Sequence, residues 1–324
     1  MKKIIWIDGG IGRVICALPA IDEMSKKEKI IVVTPWKEIF LNKKNIDRLY
    51  KPDSEYLWED VIANNDLVHV EPYWDVNYYK NKIHLITSFD NLINKTEIER
   101  TEVLKPNLVL NSIEEEFGKK FLKDIRTKTK KKIMILQPFG ATGKLNDDKQ
   151  IIDETNRSIT FKTLDNIIDN FKDEYSFVYI GTVPLDKYDV EFKKCNNGQC
   201  RQPSSDSSKK KIVYPVPQDL GLRGIFSVIK HADALISCDS FTQHVAYSFD
   251  IPAVVFIGGT DEHNICYSNH LILKKEGYPI EYNPYRIPNN NHIIFANEGA
   301  MDFTEEEETE FIVKIREYLG VNQK

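Results

Sequence analysis

Short apolar runs alternate with stretches of helical periodicity along the first part of the chain. Residues 3–7 form an apolar run that ends at Asp8, which is typical of a buried parallel strand. Apolar residues then recur at helical spacing over 14–24. The pattern predicts further strands at 30–33, 67–70 and 83–86. This β-α-β rhythm predicts an α/β fold in which helices cover both faces of a parallel sheet.

The same rhythm restarts after a basic segment. Residues 126–132 carry five lysines and arginines and are interpreted as a weakly structured linker, which divides the chain into domains 1–127 and 128–324. In the second part the pattern predicts strands at 133–136, 177–180, 234–237 and 253–257, and helices at 160–171, 225–231 and 304–319. The expected fold is therefore two Rossmann-like, doubly wound domains in succession, and the polar segment 186–211 is expected to be a surface loop.

Composition narrows the class of protein. The 324 residues are 41% hydrophobic and 29% charged, as in an ordinary globular protein, and the net charge of −5 excludes a globally basic nucleic-acid coat. The sequence contains neither an apolar run of roughly 20 residues nor a signal-peptide pattern, so a cytoplasmic protein is expected. Five scattered cysteines imply no disulfide framework. Cys195 and Cys200 supply only half of a structural zinc site, so no metal is expected.

Two predicted strand-to-helix loops carry candidate chemistry. In the first, Gly9, Gly10 and Gly12 follow Asp8, and glycines let a backbone approach a ligand while helix N–H groups face an anion. The loop lacks a dinucleotide fingerprint, because Ile15 occupies the position of the third glycine.

The second loop follows the strand predicted at 234–237. Ser240 and Gln243 fit a capping box, which gives both side chains a structural role. That role does not account for Asp239 immediately before Ser240, or for His244 one helical turn further on. An acidic group beside a helix N-terminus can accept sugar hydroxyls while the helix N–H groups hold a phosphate, so the loop is a candidate nucleotide-sugar site.

These motifs resemble the ADP-heptose heptosyltransferase family of glycosyltransferases. Residues 9–21 are similar to its opening motif, 232–246 to its Asp-Ser/Thr-Gly-x-x-His block, and 251–261 to the segment that follows that block. Residues 137–141 stand where the family has a Pro-Gly-Ala turn, and 157–160 near its Lys-x-Trp-Pro segment. The composition, rich in Asn, Lys and Ile, also suits a bacteriophage-type member from an AT-rich genome.

The resemblance implies a GT-B arrangement, in which two Rossmann-like domains face each other across a cleft and the last helix can pack back on the first domain. It implies metal-independent, inverting transfer from an ADP- or UDP-sugar, with no other cofactor. Asp239 would bind sugar hydroxyls, Ser240 and Thr242 the diphosphate, and His244 would support the helix end. The remaining assignments are donor contacts at Gly140 and Arg157 and an acceptor side at Gly10 and Gly12.

Two positions depart from the family pattern. Arg13 replaces the aspartate taken to be the catalytic base, and an arginine stays protonated and cannot remove a proton. Phe241 replaces the glycine after Asp-Ser. Asp8 is the candidate replacement for the base, although an aspartate before two glycines is equally explained as a turn-former.

The sequence leaves two classes of acceptor open. A cation at Arg13, close to the lysines of 128–132, would suit a phosphate-bearing acceptor such as lipopolysaccharide core, or DNA with a hydroxymethylated base. Aromatic residues of 73–79 could stack on a sugar or a base, although such residues also pack on their own domain. A nucleotide-sugar epimerase and a catalytically inactive nucleotide-sugar-binding protein are the alternative functions.

Overall fold

The computed structural model describes residues 1–96, 103–148, 150–185, 189–190, 212–277 and 299–321, with side chains omitted for 189, 190, 212 and 218. A first sheet of four parallel strands has the order β3-β2-β1-β4. Its strands are β1 (Lys3–Trp6), β2 (Ile30–Val33), β3 (Ile46–Tyr50) and β4 (Asp66–His69). The apolar runs predicted at 3–7, 30–33 and 67–70 are thus confirmed as strands.

A second sheet of seven parallel strands has the order β13-β12-β11-β5-β8-β10-β9. Its strands are β5 (Lys132–Gln137), β8 (Tyr175–Tyr179), β9 (Asp189–Val190), β10 (Ile212–Pro215), β11 (Ala234–Cys238), β12 (Ala253–Ile257) and β13 (Leu271–Lys274). A separate antiparallel pair joins β6 (Lys144–Leu145) to β7 (Ile151–Ile152).

Helices connect the strands. The described ones are α1 (Ile11–Ser25), α2 (Val76–Tyr79), α3 (Leu85–Asn94), α4 (Ser112–Thr129), α5 (Phe161–Phe171), α6 (Gly221–Lys230), α7 (Phe241–Ser248), α8 (Glu262–Ile265) and α9 (Glu305–Tyr318). Shorter 3-10 turns lie at Lys37–Phe40, Pro72–Trp74 and Gln218–Leu220, and a π-helical turn at Leu57–Ile62. The predicted capping box of the last helix is confirmed, because Thr304 and Glu307 exchange hydrogen bonds. No helix within the described ranges combines the length and apolar character needed to cross a membrane.

Both faces of the second sheet are buried. Along β5, Ile133 and Ile135 belong to a core shared with α1, α4, α6 and α7, whereas Met134 and Leu136 belong to a core shared with α5 and α9. Because successive residues of a strand point to opposite faces, this alternation requires helices on both sides of the sheet. The predicted α/β class with parallel sheets is therefore confirmed.

Two expectations about local structure are wrong. Residues 83–86 are not a strand: α3 begins at Leu85, and His84 caps it by accepting a hydrogen bond from the backbone N–H of Ile86 (3.1 Å). Short apolar runs fit a buried helix start as well as a strand. The basic segment is not a linker either, since α4 continues to Thr129 and β5 begins at Lys132. The predicted loop 186–211 lies almost entirely outside the described residues.

Candidate functional site

Each sheet has a point at which successive strands diverge to opposite sides, and the candidate residues lie there. In the second sheet β5 is flanked by β8 on one side and β11 on the other; in the first sheet β1 is flanked by β2 and β4. Parallel sheets bind ligands in the crevice beyond the carboxyl ends of the strands at such switch points. Gln137 and Asp239 lie at this position in the second sheet, and Asp8 and His69 in the first.

Helices α1 and α7 bring the two switch points together. Each helix follows a central strand, and they pack against each other near their N-termini. A Cβ atom added at Gly12 would lie 2.9 Å from Cδ2 of His244 and 3.3 Å from Cα of Phe241. Only a glycine permits this approach. The Asp8 loop and the Asp239 loop therefore border one crevice.

Gln137 fixes the beginning of α7. Its amide Nε2 donates to Oγ of Ser240 (2.7 Å), and its Oε1 accepts from Oγ1 of Thr242 (2.5 Å). Thr242 has no exposed surface. Its hydroxyl therefore braces the helix end, and its expected contact with a diphosphate stays a prediction. The predicted capping box is also wrong, because Ser240 makes no side-chain cap and Gln243 donates to Asp239 instead (3.1 Å).

Asp239 is held from several sides at the end of β11. Its Oδ1 accepts from Gln243, its Oδ2 from the hydroxyl of Thr260 (2.7 Å), and its backbone carbonyl from Nη1 of Arg157 (3.2 Å). The residue is 6% exposed. A carboxylate is an acceptor-only group, which is the chemistry that a sugar hydroxyl needs. The structure thus brings the Arg157 guanidinium to the backbone of Asp239.

Asp153 organises the loop that presents Arg157. Its carboxylate accepts hydrogen bonds from the hydroxyls of Thr142, Thr155 and Ser158, each 2.6 Å long, and from the Arg157 backbone N–H (3.3 Å). Burial alone would raise the pKa of Asp153, but these hydrogen bonds outweigh it and lower the pKa to about 2. Ser158 in turn accepts from the N–H of Gly140 (2.9 Å).

Gly140 therefore serves loop packing. A Cβ atom there would lie 2.7 Å from Oδ2 of Asp153. The close approach explains the glycine without a ligand, so its predicted contact with a donor rests on the resemblance alone.

His244 supports the start of α7 from within the protein. It is 4% exposed, its Nδ1 shares a hydrogen bond with the Tyr267 hydroxyl (2.7 Å), and Cys16 lies 3.7 Å from the same nitrogen. Burial lowers the pKa of His244 to about 4, so the ring is neutral at physiological pH. This placement agrees with a supporting role for His244.

Asp8 forms a pair with a histidine that the sequence analysis did not single out. Its Oδ1 accepts from the indole Nε1–H of Trp6 (2.8 Å), and its Oδ2 lies 3.2 Å from Nε2 of His69. The side chains of Asp8 and His69 are 50% and 48% exposed. They come together because β1 and β4 are neighbouring parallel strands with Trp6 opposite His69.

Arg13 is neutralised within the same half of the molecule. Its Nη2 donates to the carboxylate of Glu71 (3.0 Å) and to the carbonyl of Val70 (3.2 Å), and its guanidinium lies 5.1 Å from the centre of the Tyr73 ring. The expectation that Arg13 lies close to the lysines of 128–132 is wrong. That segment leads into the first residue of β5, roughly 20 Å along the strand from the crevice.

The glycines of the first loop have separate roles. Gly9 has a φ of +97°, which favours glycine, and Gly12 makes the contact with α7 described above. A Cβ at Gly10 would have no heavy atom within 4 Å, so Gly10 alone leaves space for a ligand. The contact between helices explains Gly12 without a ligand, so its acceptor-side role rests on the resemblance alone.

The aromatic segment is only partly available to a ligand. Trp74 and Tyr79 are exposed, whereas Tyr78 is buried and Tyr73 lies against Arg13. No group of three or more His, Cys, Asp or Glu side chains within the described ranges could hold a metal ion. Cys195 and Cys200 lie outside those ranges.

Sequence reasoning missed Gln137, Asp153 and His69 as site residues. Gln137 and His69 each end a strand that borders a switch point, which is a usable signal once the strand order is known. Asp153 lies in an irregular loop, and its role depends on hydroxyls that only the folded chain brings to it.

The sequence matches no model of a known protein family and no curated protein. Solved structures share the fold. A glycosyltransferase family 9 protein from Veillonella parvula is 15% identical, with a TM-score of 0.66 over 98% of this chain and 96% of that one. ADP-heptose LPS heptosyltransferase II from E. coli is 10% identical, with a TM-score of 0.58 over 98% of this chain and 100% of that one.

A third similar structure is the dodecameric, iron-containing E. coli heptosyltransferase TibC in complex with ADP-D-β-D-heptose. It is 13% identical, with a TM-score of 0.57 over 98% of this chain and 76% of that one. These similarities confirm the predicted resemblance to heptosyltransferase-like glycosyltransferases. At such identities they establish the fold, and what the chain does is a separate inference.

Proposed function

We propose that this protein is a glycosyltransferase that moves a sugar from a nucleotide-sugar donor to a hydroxyl acceptor. The observation that carries the proposal is the placement of Asp239 and Arg157 together at the switch point of the second sheet. That is where parallel sheets bind ligands, and it offers a carboxylate for sugar hydroxyls beside a guanidinium for phosphate. The overall fold is that of structures described as heptosyltransferases, two of them named for ADP-heptose.

The proposed arrangement is GT-B, with the donor held by residues 128–324 and the acceptor bound from residues 1–127. Transfer is metal-independent and inverting. The acceptor oxygen attacks the anomeric carbon as the bond to the nucleoside diphosphate breaks. Arg157 and the N–H groups at Ser240 and the start of α7 stabilise the charge that develops on the leaving diphosphate. Gly10 and the side of the crevice that carries Asp8 border the acceptor.

A glycan hydroxyl is the proposed acceptor class. A phosphate-bearing acceptor would need a free cation at Arg13, whereas Arg13 is paired with Glu71. Trp74 and Tyr79 are exposed on the acceptor half and offer faces on which a sugar can stack.

A thermal-shift panel tests donor binding. We expect one of ADP, UDP, GDP, CDP or their sugar conjugates to raise the Tm by several degrees, since a ligand at 100 times its Kd adds about 2.7 kcal/mol of stability. Arg157→Gln should abolish the shift, because it removes the proposed phosphate contact. Arg48→Gln is the matched control, since Arg48 lies exposed on β3.

Three outcomes distinguish the alternatives. If no nucleotide raises the Tm, the donor site is wrong and the transferase proposal falls. If a sugar nucleotide binds and is converted to an isomer without an acceptor, the protein is an epimerase. If it binds and is neither isomerised nor consumed with any glycan acceptor, the protein is an inactive nucleotide-sugar-binding protein.

A further inference from the structure

The pair formed by Asp8 and His69 lies where an acceptor would enter. It occupies the carboxyl-end crevice between β1 and β4, the switch point of the first sheet. Gly12 is four positions after Asp8, so their Cα atoms lie within about 14 Å of each other. Gly12 touches the start of α7, beside Asp239. The pair therefore borders the same crevice as Asp239.

The hydrogen bonds fix how the histidine ring presents its nitrogens. An ionised carboxylate only accepts, so the 3.2 Å contact keeps a proton on Nε2 of His69 and leaves Nδ1 as the basic nitrogen. The indole N–H of Trp6 holds the other oxygen of Asp8, and the edge of the His69 ring lies over Trp6 at 6.5 Å between centroids. The ring is thus oriented by two neighbours while about half its surface remains open.

Other groups on this side are less suited to accept a proton. Arg13 stays protonated. Both carboxylate oxygens of Glu71 are engaged, one by Arg13 and the other by the N–H of Tyr73. Both oxygens of Asp8 are engaged as well. Within the described part of the chain, Nδ1 of His69 receives no hydrogen bond, so it remains available to an acceptor hydroxyl.

We propose that His69 is the general base of the transfer and that Asp8 is its positioning residue. This inference rests on the proposed function. The acceptor O–H gives its proton to Nδ1 of His69 as its oxygen bonds to the anomeric carbon. The electron pair of the breaking C–O bond leaves with the nucleoside diphosphate, and the imidazolium is stabilised by the carboxylate of Asp8. Asp8 therefore acts through His69 instead of removing the proton itself.

Hydrolysis of the sugar nucleotide that gives the largest thermal shift tests the base, with water as acceptor and nucleoside diphosphate release as the readout. We expect His69→Gln to lower kcat about 10²- to 10⁴-fold with an unchanged thermal shift. Asp8→Asn should lower kcat less than His69→Gln does, with an unchanged thermal shift, because the ring keeps its basic nitrogen but loses the acceptor that orients it. The tautomer of the ring, read by 15N NMR, distinguishes this positioning from a purely structural role. His231→Gln is the control, since His231 ends α6 away from the crevice.

The opposite pattern overturns the proposal. If Asp8→Asn removes hydrolysis and His69→Gln stays within about two-fold of the wild type, the carboxylate is the base. If donor binding persists and both variants match the wild type, the pair has no catalytic role and the donor site still stands. If nothing in the panel binds, the proposed function itself has failed.

A second measurement does not depend on turnover. Long-range 15N NMR of histidine-labelled protein, with the His69 signal assigned through His69→Gln, reports which ring nitrogen carries the proton. We expect the neutral ring to be protonated on Nε2, and Asp8→Asn to weaken that preference. A neutral ring protonated on Nδ1 would overturn the assignment, because no basic nitrogen would then face the acceptor.

Discussion

At the scale of single residues, Gln137 shows how a polar side chain can be both buried and necessary. It is 6% exposed, and its amide satisfies two hydroxyls at the start of α7 with one donor and one acceptor. Buried polar groups are costly when unpaired. Gln137 therefore sets the position of the helix end beside Asp239 as well as contributing to stability.

A double-mutant cycle measures this coupling. Gln137→Leu leaves the buried hydroxyl of Thr242 without its partner and should lower the free energy of unfolding by about 1–3 kcal/mol. Thr242→Val should cost a similar amount because Oε1 of Gln137 is then unpaired. The double variant should lose clearly less than the two single losses together, since removing both partners leaves neither unsatisfied. Urea denaturation gives the three values, and strictly additive losses would show that the two side chains are not coupled.

At the scale of elements, the contact between α1 and α7 joins the two halves of the crevice. It depends on Gly12, where a side chain would meet both the His244 ring and the backbone of α7. Gly10 lies two residues earlier on the same helix end and has open space around it. The two glycines therefore form a matched pair for testing the contact.

Gly12→Ala should lower the free energy of unfolding by about 1–3 kcal/mol, because the added methyl group forces the helices apart. Gly10→Ala should cost less, about 0.5–1 kcal/mol, because Gly10 has an ordinary φ of −79° with open space around it and alanine is only a poorer N-cap. Thermal unfolding of both variants is the measurement. Equal effects at the two positions would mean that the helices do not pack as closely as the structure shows.

At the scale of the whole molecule, three buried histidines surround Tyr267. The rings of His84, His244 and His270 lie 5.0, 5.7 and 5.2 Å from its ring, and they come from the start of α3, from α7 and from the turn before β13. Burial lowers their pKa values to about 3, 4 and 3, respectively. All three are neutral in the folded protein at physiological pH.

The stability of the protein should therefore fall as the pH is lowered. In the unfolded chain each of these histidines gains a proton as the pH drops through about 6.5, whereas in the folded protein each stays neutral until about pH 3 to 4. The unfolded state binds more protons across that window, so unfolding becomes easier there. The slope is about 1.4 kcal/mol per pH unit for each histidine, up to about 4 kcal/mol for the three.

Urea denaturation between about pH 7 and 5 measures this slope. His270→Phe removes one of the three titrating groups and should reduce the slope by about one third. An unchanged slope in His270→Phe would show that His270 is protonated equally in the folded and unfolded states.

Local sequence pattern predicted the elements well where it was unambiguous. The runs at 30–33 and 253–257 are strands because each is apolar throughout and both faces of the sheets are covered. Helix α5 begins at its Thr160 cap as its periodicity indicates. At residues 83–86 the run was too short to separate a strand from a helix start, and the side chain of His84 decided in favour of the helix.

The hydrogen-bond partners of polar side chains could not be predicted from neighbouring positions in the sequence. Ser240 and Gln243 have the spacing of a capping box, yet Ser240 bonds Gln137, 103 residues earlier in the chain, and Gln243 bonds Asp239. Asp8 and His69 are 61 residues apart and meet only because β4 pairs with β1. Which strand lies beside β1 is a property of the sheet order, and no spacing along the chain encodes it.

Periodicity and turn residues act over a few neighbouring positions, so the chain pattern alone predicts the α/β class, most strands and helices, and the loops that carry Asp8 and Asp239. Tertiary structure alone decided that Thr242 is buried, that Glu71 neutralises Arg13, and that a histidine stands beside Asp8. These outcomes depend on which surfaces are brought into contact when the strands pair and the helices pack. The physical reason is that burial and hydrogen bonding are set by neighbours in space, most of which are distant in the chain.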